Sequence, residues 1–204
     1  MELENSGDLE IKFKLDEILK KKVKVVQRGI IQWYQKYGRD FPWRKDNVSN
    51  YEKLIAEILL QKTRAENILK VYEMFLKKYP TIYDLARANL SDVSEILKPI
   101  CLFNTRAKNL VKMAQLLVDK YKGEIPSELD ELLKLPGIGI YISHSYLISA
   151  YGKRFSVVDT NFKRFYARIT QRLFAKAGIR NAILVFLMIY AIFIMNAKFP
   201  EFFY

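Results

Sequence analysis

Three side chains and one glycine-rich turn are of the types and spacing that could do chemistry: Asp159, Glu57, Tyr141 and Leu135-Pro136-Gly137-Ile138-Gly139-Ile140. Asp159 directly follows Val157-Val158 and precedes the basic stretch Phe162-Lys163-Arg164, where a helix is expected to begin. Aspartate is among the best N-cap residues, and helix amides keep such a carboxylate ionised, so a capping role and a functional anion coexist at this position. Gly137 and Gly139 carry no Cβ, which lets the backbone turn tightly and approach another surface closely. The amides of the helix starting near Ile140 then point outward along its dipole, an arrangement that seats a phosphate. The plain alternative is an ordinary turn between two helices, because short glycine turns are common. Glu57 lies at the border of an apolar face, after Leu54-Ile55 and before Ile58-Leu59. Read alone, such a residue is more often a solvated helix glutamate. Tyr141 read alone is a core aromatic packed beside the hairpin.

These groups need a rigid frame, and the frame the sequence encodes is all-α. Prolines and glycines are sparse, and apolar residues recur at helical spacing along most of the chain. Helices are predicted from Gln27 to Tyr37, over 51–61, 64–78, 81–88, 91–98, 104–121 and 127–133, and again from about Ile140. Gly38 to Arg44 reads as a turn, Asn47 to Asn50 supply turn and N-cap residues, and Ser127 with Glu131 marks a helix start. Residues 1–22 mix acidic and basic residues and read as an amphipathic helix. Ala182 to Met195 is apolar throughout but shorter than the roughly 20 residues that span a bilayer, so it reads as a helix buried on all sides.

Composition narrows the class of protein. Half of the 204 residues are hydrophobic, enough for a sizeable core. The net charge of +12 and pI near 9.6 favour a polyanion, since each Lys or Arg that neutralises a phosphate releases a counterion. A generally basic soluble protein or a membrane-surface binder is the competing reading of charge alone. A lone cysteine, Cys101, excludes an intramolecular disulfide, and with no signal-like N-terminus a cytoplasmic location is expected. The single histidine, His144, excludes a site built from several His and Cys ligands and is read as a packing or surface residue.

LPGIGIY followed by VDTNFKRFYAR resembles the helix-hairpin-helix DNA glycosylases, a superfamily that includes endonuclease III and the mismatch-specific enzymes. GRDFPWR is similar to the segment before the first core helix of the adenine- and thymine-mismatch branches. AEILLQKT (Ala56 to Thr63) is similar to their next motif, and Leu102-Phe103-Asn104-Thr105-Arg106-Ala107 to the loop those enzymes push into the duplex. The likeness runs from about Gln27 to Met195. It implies two helical domains with the active-site cleft between them: residues 49–155, six helices containing the hairpin, and residues 1–48 together with 156–204. It also implies double-stranded DNA with a mismatched or damaged base as partner. A monomer with no membrane association, nucleoid-associated if prokaryotic, completes that expectation.

The resemblance assigns roles. Asp159 stabilises positive charge on the sugar and orients the attacking water, and Glu57 lies in the base pocket. Tyr141 stands where lyase members carry a Schiff-base lysine and adenine-mismatch members a serine; tyrosine is similar to the archaeal-type thymine or uracil mismatch enzymes. Gln61 and Lys62 fill the space left by the extruded base, Leu102, Phe103 and Asn104 form a wedge, and Gly137, Ile138 and Gly139 hold the backbone. Arg106, Lys163 and Arg164 are phosphate candidates, with a solvated basic face as the alternative. Many relatives hold an iron-sulfur cluster on four cysteines. Here Met195 and Phe202 stand at or near the first two of those positions, so no cluster is expected, while a monovalent cation at the hairpin carbonyls is compatible with the resemblance. Three other activities stay open: adenine removal opposite oxidised guanine, a glycosylase-lyase using Lys62 or Lys163, and a non-catalytic DNA-binding module.

Overall fold

The computed structural model describes residues 24, 25, 27–155, 157, 158, 160, 161, 163, 164, 167 and 168. Asp159, residues 1–22, the apolar segment 182–195, Met195 and Phe202 lie outside the described residues. Among the described residues there is no strand, and the fold is all-α. These residues divide into two compact units, one spanning Asp40–Val157 and the other holding the described parts of 1–39 and 158–204. In the latter, 27–37 are helical, as predicted.

The larger unit opens with a 3-10 turn, Pro42–Arg44, followed by α1 (Asn50–Leu60), α2 (Ala65–Lys78), α3 (Ile82–Ala86), α4 (Leu90–Leu97), α5 (Phe103–Tyr121), α6 (Leu129–Leu132) and α7 (Ile140–Tyr151). Local signals set the starts of several helices. Ser49 and Glu52 form a reciprocal capping box on α1, Thr81 and Asp84 do the same on α3, and Asn89 caps α4 through the Ser91 amide. Each satisfies amide donors that a helix N-terminus would otherwise leave unpaired.

The core is organised around α1, which packs against α2, α7 and the 3-10 turn. Leu54, Ile55 and Leu59 are fully buried, as are Ile68 and Phe75 of α2 and Tyr146 and Leu147 of α7. On the other side α5 lies against α3 and α4, burying Leu110, Met113 and Leu117 with Leu85, Val93 and Leu97. The segment read as a turn around Pro42 is also a plug. Phe41 and Trp43 are buried with rings stacked at 4.8 Å, and Trp43 meets Tyr72 edge-on at 5.2 Å.

At α6 the structure departs from the expected 127–133 helix. It is one turn long, Glu128 is its N-cap, and no side chain caps it. Ser127 does not cap it, and Glu131 is drawn to other partners: its carboxylate accepts from the Tyr121 hydroxyl at 2.6 Å and from Lys134, with Lys120 at 3.5 Å. The Lys134 and Tyr121 hydrogen bonds hold the Glu131 carboxyl down at about 2 against an ordinary 4.5. A depressed folded-state value makes this tie between α5 and the hairpin fully effective above pH about 4.5 and lost as the pH falls toward 2. Glu131→Gln is therefore expected to lower the melting temperature at pH 7, and the gap from wild type should close between pH 4.5 and 2. A gap that stays constant through that window would show that the charge of Glu131 plays no part.

Candidate functional site

The hairpin joins α6 to α7 through a turn with the signature of type II: proline second, glycine third, and the Ile138 amide donating to the Leu135 carbonyl at 3.1 Å. Gly137 has φ +82, and a Cβ built there would lie 2.9 Å from Cβ and Nδ2 of Asn109 on α5, so both backbone conformation and packing demand glycine. Gly139 differs. It is the extended N-cap of α7, no side chain caps that helix, and a Cβ placed on Gly139 would meet nothing within 4 Å. Among the described residues no contact requires glycine at 139. The expectation for Ile138 needs correction: its side chain is buried and its amide is spent within the turn, so it anchors the hairpin and has no donor left for a phosphate.

Tyr141, in the first turn of α7, is 43% exposed, which excludes the core-aromatic alternative. Glu57 is 5% exposed on α1, the helix packed against α7, which excludes the solvated-glutamate alternative. A buried carboxylate needs polar partners to offset its desolvation, so Glu57 is held inside the fold and not on a solvated face. His144 stacks on Phe155 with ring centroids 4.5 Å apart, a packing role.

Two loops, one after α1 and one before α5, carry the next candidates. Gln61 ends α1, and Lys62 after it is exposed with a left-handed backbone, φ +52. Before α5, Leu102 also has a left-handed backbone, φ +62, and is 53% exposed, and Asn104 is exposed. Phe103 does not share that exposure. It is half-buried against the core, so Leu102 and Asn104 form the projecting tip, which corrects its assignment to the wedge.

Arg106 is a third correction. It is 3% exposed, and its two terminal nitrogens donate to the Cys101 and Gln61 carbonyls, each at 2.6 Å. Burial lowers its pKa from the ordinary arginine value. A guanidinium so enclosed is not available to a phosphate. Sequence reasoning missed it because one partner lies 45 residues away. Asn109 was missed for the same reason; its proximity to Gly137 is tertiary. Lys163 and Arg164 are exposed in the smaller unit. Among the described residues no group of three or more His, Cys, Asp or Glu could hold a metal, and no helix is long and apolar enough to cross a membrane.

An all-α chain with a Gly-Ile-Gly hairpin, an exposed tyrosine after it and a buried glutamate on the adjoining helix defines a helix-hairpin-helix protein. Residues 55–177 match the family described as HhH-GPD superfamily base excision DNA repair protein, and the chain belongs to that family. Among similar proteins, a thymine-DNA glycosylase of Aeropyrum pernix is 36% identical over 151 residues, 74% of this chain and 67% of that one. A thymine/uracil-DNA glycosylase of Methanothermobacter thermautotrophicus is 35% identical over 154 residues, 76% of this chain and 69% of that one. An adenine DNA glycosylase of Mycobacterium tuberculosis is 33% identical over 140 residues, which span 69% of this chain and 46% of that protein. Among solved structures, a thermostable thymine-DNA glycosylase superposes with a TM-score of 0.66 at 28% identity, covering 88% of this chain and 87% of its own.

Proposed function

We propose that the protein is a monofunctional DNA glycosylase that removes thymine or uracil mispaired with guanine from duplex DNA. The observation that carries this reading is the 35–36% identity to archaeal proteins named for thymine and uracil, over about three quarters of this chain. The family match at 55–177 takes in Glu57, Tyr141 and Asp159. In the proposed reaction the target nucleotide leaves the stack, at least cost when it is mispaired. The N-glycosidic bond breaks, the base departs with its electron pair, and a water adds to C1′ of the sugar, with the proton that the water loses balancing the one the departed base takes up. Positive charge on the sugar in the transition state calls for a nearby anion, as in other glycoside hydrolyses. Asp159 is assigned that charge and the orientation of the water. Glu57, on the helix next to α7, is assigned the steering of a water or the polarisation of the departing base. Tyr141 has no amine with which to form a Schiff base, which favours simple hydrolysis over a lyase. The basic residues of the smaller unit, Lys163 and Arg164, are assigned to DNA phosphates.

The two glycines give this reading a built-in control. Gly137→Ala is expected to destabilise the fold, by about 1–2 kcal/mol for the left-handed backbone and a further ~1–3 kcal/mol for the clash with Asn109. Gly139→Ala should cost less than Gly137→Ala, about 0.5–1 kcal/mol for the poorer N-cap residue, and weaken binding to duplex DNA at least about tenfold, because the added methyl stands where a phosphate would approach the α7 amides. Equal DNA affinity of Gly139→Ala and wild type would remove the hairpin from the DNA-facing surface.

The adenine DNA glycosylase of Mycobacterium tuberculosis supports a second reading, excision of adenine opposite oxidised guanine. Tyr141 weighs against it, since that branch resembles a serine at this position. One experiment separates the two: base release from duplexes carrying T·G, U·G, A opposite 8-oxoguanine, and normal pairs, with alkali cleavage reporting abasic sites. Release confined to T·G and U·G supports the proposal, and release confined to the adenine duplex replaces it with the second reading.

A further inference from the structure

Arg106 occupies an unusual position between the two loop tips. Its guanidinium is buried, no carboxylate among the described residues pairs with it, and Nε has no partner there. A charge held in this way has to be kept by what it binds, since leaving water costs several kcal/mol per ion. What it binds are two neutral backbone carbonyls, of Gln61 and Cys101. Each carbonyl belongs to the residue immediately before one with a left-handed backbone, Lys62 at φ +52 and Leu102 at φ +62. Only three non-glycine residues among those described have positive φ, so Arg106 reaches the flank of two of the three. Such a conformation persists in a residue with a Cβ only where its surroundings over-determine it.

Each loop also has local hydrogen bonds, whereas only the Arg106 side chain joins the two. The Gln61 carbonyl also accepts from the Thr63 hydroxyl at 3.1 Å, and the Thr63 amide donates to the Leu60 carbonyl at 3.1 Å. At the other loop the Arg106 amide donates to the Leu102 carbonyl at 2.9 Å, so backbone and side chain of one residue grip consecutive carbonyls. Gln61 is also the C-cap of α1, where a cation complements the helix dipole. The exposed ends of this assembly are Lys62, Leu102 and Asn104.

We propose that Arg106 is a positioning residue that couples the Gln61-Lys62 and Cys101-Leu102 loop tips into one rigid two-pronged element, so that both prongs enter the duplex together when the base is extruded. The proposal rests on the glycosylase reading for its consequence in DNA, though not for the coupling itself. Arg106 serves extrusion and does not touch the reacting atoms. Its loss should therefore be felt where a base must be unpaired and not where the base is already unpaired.

The test uses the full chain with Arg106→Met, which keeps most of the stem volume, and Arg106→Lys, which keeps the charge but has one compact donor group for two carbonyls. Native-state hydrogen exchange is the first readout. In Arg106→Met the hydrogen-bonded amides of Thr63 and of residue 106, one in each loop, are expected to exchange at least about tenfold faster together, with the interiors of α1 and α7 unchanged. Acceleration in one loop only, or in neither, overturns the coupling. The second readout is single-turnover excision of uracil from a U·G pair and from uracil opposite an abasic site. A fall of roughly 10–100-fold on U·G, with a fall under about threefold opposite the abasic site, supports the extrusion role; an equal fall on both overturns it. If Arg106→Met does not fold, Arg106→Lys carries both readouts, with the same selective pattern expected at smaller amplitude. Absence of excision by the wild-type protein from any duplex would sink the glycosylase reading and the extrusion role with it, and the exchange pattern would still decide whether Arg106 couples the loops.

Discussion

Asp159→Asn is expected to reduce thymine release from a T·G duplex by about 10³-fold or more, equivalent to ~4 kcal/mol of lost transition-state stabilisation, while the affinity for the same duplex stays within about threefold. The substitution separates the two roles that the residue can play. Asparagine caps a helix about as well as aspartate, so the helix that begins after Val158 keeps its start. What disappears is the negative charge, and the proposed transition state carries its positive charge on the sugar. A purely structural Asp159 predicts nearly unchanged release from the asparagine variant. Loss of duplex binding together with release would likewise point to a structural role.

Glu57→Gln is expected to have the second-largest effect, a fall of roughly 10²-fold in single-turnover release with little change in melting temperature. The buried position of Glu57 is what makes the pairing of outcomes informative. Glutamine fills nearly the same volume and keeps a hydrogen-bonding group at this buried position, so the fold loses little packing. A polar group retained at such a position for the reaction should be missed by the reaction and hardly by the fold. The opposite pattern, a large drop in melting temperature with release unchanged, would make Glu57 a structural residue of α1.

How much of this was readable in the sequence follows the range of the interactions involved. The start of α1 could be read because Ser49 and Glu52 satisfy each other within one turn. The hairpin could be read because Pro136 and Gly137 fix a local backbone shape, and its φ of +82 at Gly137 is what glycine at that place announces. Glu57 was visible as a carboxylate at the edge of an apolar face, while its burial depends on the elements packed around α1, which no local pattern encodes. Arg106 was misread as a phosphate contact because an arginine beside a loop looks the same whether it faces solvent or reaches a carbonyl 45 residues away. Phe103 and Glu131 follow the same rule. One turns into the core that other helices build, and the other leaves its expected capping position for Tyr121 on a different helix.

The most direct test of the account is to look for free base, before any alkali or heat, after incubation of excess protein with a T·G duplex whose thymine is isotopically labelled. The account predicts labelled thymine in the supernatant, one per duplex, with the DNA strand still intact and no covalent adduct trapped by borohydride. Tight binding of the duplex with no thymine released would contradict it and place the protein among modules that only grip DNA.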